Sequence, residues 1–230
     1  MSKDENVQYD LVSAFNDSLT SEIILTTTGL GEAALDSFLE PGIIKDIPLL
    51  STVVSLFKIG HSVGDAFYIK KLATFINEIN RNVIEAGKLE KYKTSIHENP
   101  KKFKKDIEFI LVLINRFIDS EKSKYLAKLY VEYLEEKIDW KEFVKYSQVI
   151  DQLFNADLKV IFLKGVLLCK RKDSDDILRL ESLGLLVEVN NAPQFEVNAT
   201  GRLIMETSHE LDEVEYELTA FGKTLADILR

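Results

Sequence analysis

Apolar and polar positions recur with a helical period along most of the chain. From Ile43 to Asn80 the pattern predicts helix beyond Pro48, a residue suited to a first turn, with Asp46 near the cap. Ser51, Ser55, Lys58, Ser62 and Asp65 recur at alternating steps of four and three, while Leu50, Val53, Val54 and Phe57 fall on the opposite face. That spacing predicts one amphipathic helix over 49–65. Earlier, Thr26-Thr27-Thr28-Gly29-Leu30-Gly31 leads into a helix expected from Glu32 to Glu40, which Pro41-Gly42 breaks. Asn99-Pro100 opens a helix through Ser120 in which Ile107 to Ile114 is apolar at seven of eight positions, so this is expected to be the central buried helix of a bundle. Leu126, Leu129, Tyr130, Tyr133 and Leu134 share one face of the next helix, Ser120 to Lys137. Asp139 and Glu142 have the spacing of a capping box for a helix reaching Phe154, and Asn155 to Lys170 predicts another.

The period changes after Lys172. Ser174 to Leu183 predicts a short helix closed by Gly184. Leu185-Leu186-Val187-Glu188-Val189 alternates as a strand, Asn190-Asn191-Ala192-Pro193 has turn chemistry, and Phe195-Glu196-Val197 and Tyr216-Glu217-Leu218 are further strand candidates. Thr219 is placed to cap a final helix to Leu229.

The order of a helix, Leu-Glu-Ser-Leu-Gly-Leu-Leu at 180–186, a β-wing, Tyr-Glu-Leu-Thr-Ala-Phe-Gly-Lys at 216–223 and a closing helix resembles the C-terminal half of a winged-helix domain, over about residues 139–230. Phe195 to Ile204 echoes Tyr216 to Leu225, so either segment is a candidate to close the wing, and 198–213 would be an insertion. In texture the first 138 residues resemble helical proteins of unassigned role from bacterial mobile elements and phage-defence loci. The expected architecture is therefore mainly α: an N-terminal helical bundle over 1–138, followed by a winged-helix-like α+β domain over 139–230.

Charge narrows what such a domain does. The net charge of −9 divides into −7 over residues 1–57, +4 over 58–146 and −6 over 147–230. In DNA-binding winged helices the third helix offers cationic and amide side chains to the major groove. Here it offers Asp175, Asp176, Arg179 and Glu181, and the wing region adds Glu188, Glu196, Glu206, Glu210, Asp212, Glu213, Glu215 and Glu217. Such a face repels phosphates, so Asp175, Asp176, Arg179 and Glu181 are expected to meet a protein. The one basic cluster comprises Lys88, Lys91, Lys93, Lys101, Lys102, Lys104 and Lys105. It reads as a solvated helix–turn–helix surface, with contact to an anionic surface through Lys101, Lys102, Lys104 and Lys105 as the alternative.

Catalytic motifs are incomplete. Gly29-Leu30-Gly31-Glu32-Ala33-Ala34 fits a dinucleotide-binding turn, but no parallel sheet is expected around it. Gly222-Lys223-Thr224 has the tail of a P-loop, with Glu217 where its first glycine belongs. Asp173-Ser174-Asp175-Asp176 begins like a calcium loop, yet Leu178 stands at the glycine position and Gly184 at the bidentate glutamate. His61, His97 and His209 share no ligand or triad spacing. The lone Cys169, beside Lys170, Arg171 and Lys172, excludes an internal disulfide and suits a reducing compartment. Leu49 to Phe57 is too short for a membrane span, although Gly60 and Gly64 form a small-xxx-small pair. The expectation is a cytoplasmic, non-enzymatic protein-interaction module without cofactor or metal. A membrane-acting effector using 43–67 and a winged-helix DNA-binding regulator are the alternatives.

Overall fold

A computed structural model describes residues 3–19, 47–58, 62–162, 167–170, 175–189, 195–197, 203–205 and 213–230. The dinucleotide-like turn at 29–34, the helix expected over 32–40, the turn at 190–193, Gly60, His61 and His209 lie outside them. The chain divides into two compact units, 1–151 and 152–230.

The first unit is helical: α1 (Lys3–Ser18), α2 (Pro48–Phe57), α3 (Val63–Arg81), α4 (Ala86–Glu98), α5 (Pro100–Arg116), α6 (Glu121–Leu134) and α7 (Trp140–Gln152). The single helix expected over 49–65 is two. Lys58 adopts a left-handed φ of 52° and closes α2 by donating its N–H to Val54. Ser62 then starts α3: its Oγ accepts from Asp65 N at 3.1 Å, and the Asp65 carboxylate accepts from Ser62 N at 3.2 Å. Two residues of the apparent polar stripe are thus a capping box, which imitates helical spacing because it also spans three residues. On α2, Leu49, Leu50 and Val53 are buried and Val54 only half-buried.

Sequence places the bundle centre on α5; the structure places it on α3 and α6, which pack against each other. Lys101, Lys105, Glu108, Val112 and Asn115 form an outward stripe on α5, with Val112 61% exposed despite its place in the apolar run. By contrast α3 buries nine residues, Leu72, Phe75 and Ile79 among them. Tyr130 of α6 meets Phe15 of α1 edge-on at 5.8 Å, Phe75 at 5.9 Å and Phe143 of α7 at 5.5 Å. Trp140 stacks on Phe143 at 4.9 Å and meets Tyr133 of α6 at 5.5 Å. This aromatic seam ties α7 to the helical unit, so the boundary lies a helix later than residue 139. The expected Asp139–Glu142 box starts α7, with Glu142 N donating to Asp139 at 2.7 Å and Asp139 N to Glu142 at 2.9 Å.

The start of α2 is held from outside. Ile47, its cap residue, offers no side-chain bond, and Leu49 N instead donates to the buried Ser18 Oγ at 2.8 Å. Ser18 in turn donates to Ala14 O at 2.8 Å, while Asn80 of α3 donates to Ser18 O at 3.0 Å.

The second unit comprises α8 (Asn155–Ile161), β1 (Leu167–Lys170), α9 (Asp175–Ser182), β2 (Leu186–Glu188), β3 (Phe195–Val197), β4 (Leu203–Met205), β5 (Glu213–Leu218) and α10 (Ala220–Leu229). The helix expected over 155–170 stops at Ile161, and 167–170 is a strand, because its backbone pairs with β5 from Leu167↔Tyr216 to Lys170↔Glu213. Tertiary pairing overrides local periodicity there. The sheet is antiparallel in the order β1-β5-β2, with Leu186 opposite Leu218 and Glu188 opposite Tyr216. Of the two segments that echo each other, it is β5 that pairs with β2; β3 and β4 pair with each other, Phe195 opposite Met205.

Gly184, at φ 73°, ends α9 in a Schellman turn: Leu185 N bonds Leu180 O at 2.9 Å and Gly184 N bonds Glu181 O at 2.8 Å. The turn's hydrophobic partners, Leu180 and Leu185, are both fully buried. Thr219 caps α10, accepting from Gly222 N at 2.9 Å and donating to Gly184 O at 2.7 Å. Gly222 sits so close to Leu185 that a Cβ there would lie 2.3 Å from its carbonyl oxygen. The Leu-Thr-x-x-Gly run at 218–222 thus has a mechanical reason: the threonine clamps the turn after α9 and the glycine admits its backbone.

Candidate functional site

The four acidic-face residues singled out on α9 do not form one exposed constellation. Asp175 and Glu181 are exposed. Arg179 turns onto Asp157, which is fully buried at the start of α8 and also accepts from Phe154 N at 2.6 Å. The guanidinium reaches Asp176 at 2.7 Å and lies 4.4 Å above the Phe154 ring. Hydrogen bonds to Asp157 and then Asp176 hold the Arg179 pKa above its usual value. Arg179 therefore neutralises a buried carboxylate and fastens α9 to α8, which leaves Asp175, Asp176 and Glu181 as the outward groups.

The lysine cluster is mostly spent on neighbouring carboxylates. Lys88 pairs with Glu135 at 3.4 Å, Lys91 with Glu136, Lys93 with Glu90 at 2.9 Å and Lys104 with Glu108 at 3.6 Å. Lys102 lies 5.7 Å from the Phe103 ring centre. Lys101 and Lys105 are exposed and have no ion pair among the described residues. His97 is exposed, and among the described residues no three His, Cys, Asp or Glu side chains converge as metal ligands. No helix among the described residues is long and apolar enough to cross a membrane.

The helical unit holds a groove of about 740 Å³ among α1, α2, α3 and α5. Its apolar surface comes from Leu11, Phe57, Tyr68, Leu111 and Val112. Leu11, Tyr68 and Leu111 are buried, whereas Phe57 and Val112 are 60% and 61% exposed, so the floor is shielded and the walls stand in solvent. Polar lining comes from Ser62, Asp65, Glu108 and Asn115. The Tyr68 hydroxyl donates to Leu111 O at 3.5 Å, and burial pushes its pKa from 10.0 up to about 12, so it stays a neutral phenol.

Lys71, one turn further along α3, shows how this wall is held. Its ammonium is buried and donates to Asn115 O at 2.9 Å and Phe117 O at 2.6 Å, capping the last carbonyls of α5. Burial lowers its pKa. Behind the wall, the buried hydroxyls of Tyr92 and Tyr130 share a hydrogen bond, and burial raises both pKa values.

Sequence reasoning missed this groove because it counted Phe57 and Val112 as core. Spacing contained the signal: Val112 stands seven residues after Lys105 and four after Glu108, on the polar face of its own helix. No family model matches the chain, and neither a curated protein nor a solved structure matches it.

Proposed function

We propose that the chain is a non-catalytic protein-interaction module whose contact surface is the groove of the helical unit. One observation carries this reading: an apolar concavity of about 740 Å³ whose walls leave Phe57 and Val112 more than half exposed. Large apolar side chains standing in solvent around a hollow mark binding surfaces. Among the described residues, the groove's lining offers no nucleophile–base pair and no set of three metal ligands, and the carboxylates at α9 are consistent with protein contact rather than phosphate contact. In the second unit, the order α9-β2-β5-α10 with β2 and β5 antiparallel supports a winged-helix-like domain used for protein rather than DNA.

The test is site-specific photo-crosslinking in the cells that make the protein. A benzophenone side chain in place of Val112 is expected to trap discrete protein adducts. The same group in place of Val83, 96% exposed between α3 and α4, serves as control. Equal labelling at both positions, or none at 112, refutes the reading.

A second reading rests on Lys101 and Lys105, exposed without ion pairs among the described residues: contact with an anionic lipid surface. Co-sedimentation with phosphatidylglycerol vesicles that is abolished by Lys101→Glu with Lys105→Glu would support it. Indifference to that double substitution removes it.

A further inference from the structure

We propose that α4 is a proton-sensitive strap: it opens while the rest of the helical unit stays folded, with Asp106 beneath it as the switch. The helix is lightly attached. It buries Tyr92 and Ile96, with Leu89 half-buried, whereas α3 buries nine residues and α6 seven. Its N-cap residue, Glu85, makes no side-chain capping bond, its first turn carries no acid, and Gly87 lowers helix propensity there. A helix of 13 residues with so little support is marginal by itself. Both connections let it go. Val83, 96% exposed, lies on the link from α3. Pro100 at the start of α5 has no N–H to satisfy, so α5 begins independently of α4.

Two fastenings hold the strap shut. At its N-terminal end, Glu135 of α6 accepts from Glu85 N at 2.7 Å, Lys88 donates to Glu135 O at 2.8 Å, and Lys91 pairs with Glu136. In its middle, Tyr92 reaches inward, edge-on to the Phe103 ring at 5.4 Å and to the Tyr130 ring at 6.3 Å, with its hydroxyl bonded to that of Tyr130. Asp106 of α5 lies against this latch. Burial raises the pKa of Tyr92, Tyr130 and Tyr133, and the Asp106 charge adds to each, which places the carboxylate beside all three phenols. Its Oδ2 is buried and accepts no hydrogen bond among the described residues. Lys102, on its own helix, is the cation that faces it, while α7 brings to Tyr133 the uncharged Trp140 and Phe143.

A buried acceptor without a donor is costly when charged and less so when protonated. Burial accordingly holds the Asp106 pKa above 3.8, against the pull of Lys102. When α4 lifts, the carboxyl meets water and ionises freely. The closed strap is therefore favoured in full below 3.8 and loses that advantage as pH rises through the raised value. Glu135 has the opposite slope: the Glu85 N–H, and then Lys88, lower its pKa, so its fastening loosens towards acid. Tighter closure in acid thus points to Asp106.

Amide hydrogen exchange of the intact chain, corrected for the intrinsic rate at each pH, reads the strap directly. Amides of 89–98 are expected to exchange through an opening that low guanidinium leaves unchanged, at least about tenfold more often than those of α3 and α6. Their protection should fall from about pH 4 to about pH 7. Asp106→Asn should raise it about tenfold at neutral pH, the scale of one buried acceptor left unpaired, and flatten its pH dependence. Asp106→Leu, which has no polar atom to bury, should do the same. Tyr92→Ala should erase protection over 89–98 while α3 and α6 stay protected. Exchange over 89–98 only together with α3 and α6 overturns the strap. Protection that rises in α3 and α6 but not over 89–98 in Asp106→Asn, or a pH dependence that survives both Asp106 variants, overturns the switch.

Discussion

Replacing Gly222 by alanine sets two physical effects of opposite sign against each other. Gly222 lies in the first turn of α10, where helix propensity favours alanine by about 1 kcal/mol. The new methyl group, however, would stand 2.3 Å from Leu185 O, 3.1 Å from its carbonyl carbon and 3.2 Å from its Cα. That oxygen is part of the backbone at the Schellman turn and also accepts Thr219 N at 3.0 Å. Relief requires α10 to back away by about an ångström, and overpacking of this kind costs about 1–3 kcal/mol. The same movement stretches the Thr219 N–Leu185 O bond, a further loss of about 0.5–1.5 kcal/mol. After subtracting the propensity gain, the net destabilisation is about 1–3 kcal/mol. Amide hydrogen exchange on the intact protein, followed by mass spectrometry, reads it locally. Protection over 180–188 and 213–229 should fall while that of α3 and α6 is unchanged. Gly222→Ala with protection equal to or greater than the wild type would refute the close-approach argument.

Ser18→Ala removes the only side-chain partner described for Leu49 N at a fully buried site, so about 1–3 kcal/mol should be lost in denaturant melts, with Ser18→Thr recovering part of it. Asp106 has a buried Oδ2 without a hydrogen bond among the described residues, and burial raises its pKa. Its contribution is therefore whole at acid pH and lost as pH rises, so Asp106→Asn should raise the melting temperature at neutral pH, with the gain fading towards pH 3.8. Alkali should unfold the helical unit through its tyrosines: Tyr68 titrates near 12 rather than 10.0, and burial also raises Tyr92 and Tyr130. Unfolded tyrosines lose protons that the native ones keep, so this stability is whole below about pH 10 and declines above it, outweighing the opposite slope from Lys71, whose pKa is lowered. Tyrosinate absorbance should then rise together with loss of helix; a smooth rise with helix intact would contradict it.

Much of the fold was legible where a local rule acts alone. The Asp139–Glu142 box, the Gly184 stop and the Thr219 cap all follow from a few adjacent residues whose chemistry has one good use. Failures occurred where a distant segment decides. Leu167 to Lys170 is a strand because β5 lies alongside, a partner more than forty residues away. The start of α2 is capped from Ser18, thirty-one residues earlier, while the acidic residue expected near its cap lies outside the described residues. Of the candidate site residues, Arg179 is occupied by Asp157, which no spacing announces, and Lys104 by Glu108, which i,i+4 spacing does. The groove was illegible for a related reason: an exposed valine and a buried one look alike until the neighbouring helix is in place.

The second unit's sheet has its middle strand last in the chain. Until Glu213–Leu218 leaves the ribosome, β1 and β2 have nothing to pair with in that sheet, and both present bare edges. Assembly of that sheet therefore waits for β5 rather than proceeding strand by strand along the chain. A message truncated anywhere between β2 and β5 yields a product in which β1 and β2 both lack their partner, suited to aggregation or to capture by chaperones and proteases. Quality control of this protein is built into the order in which its strands are made.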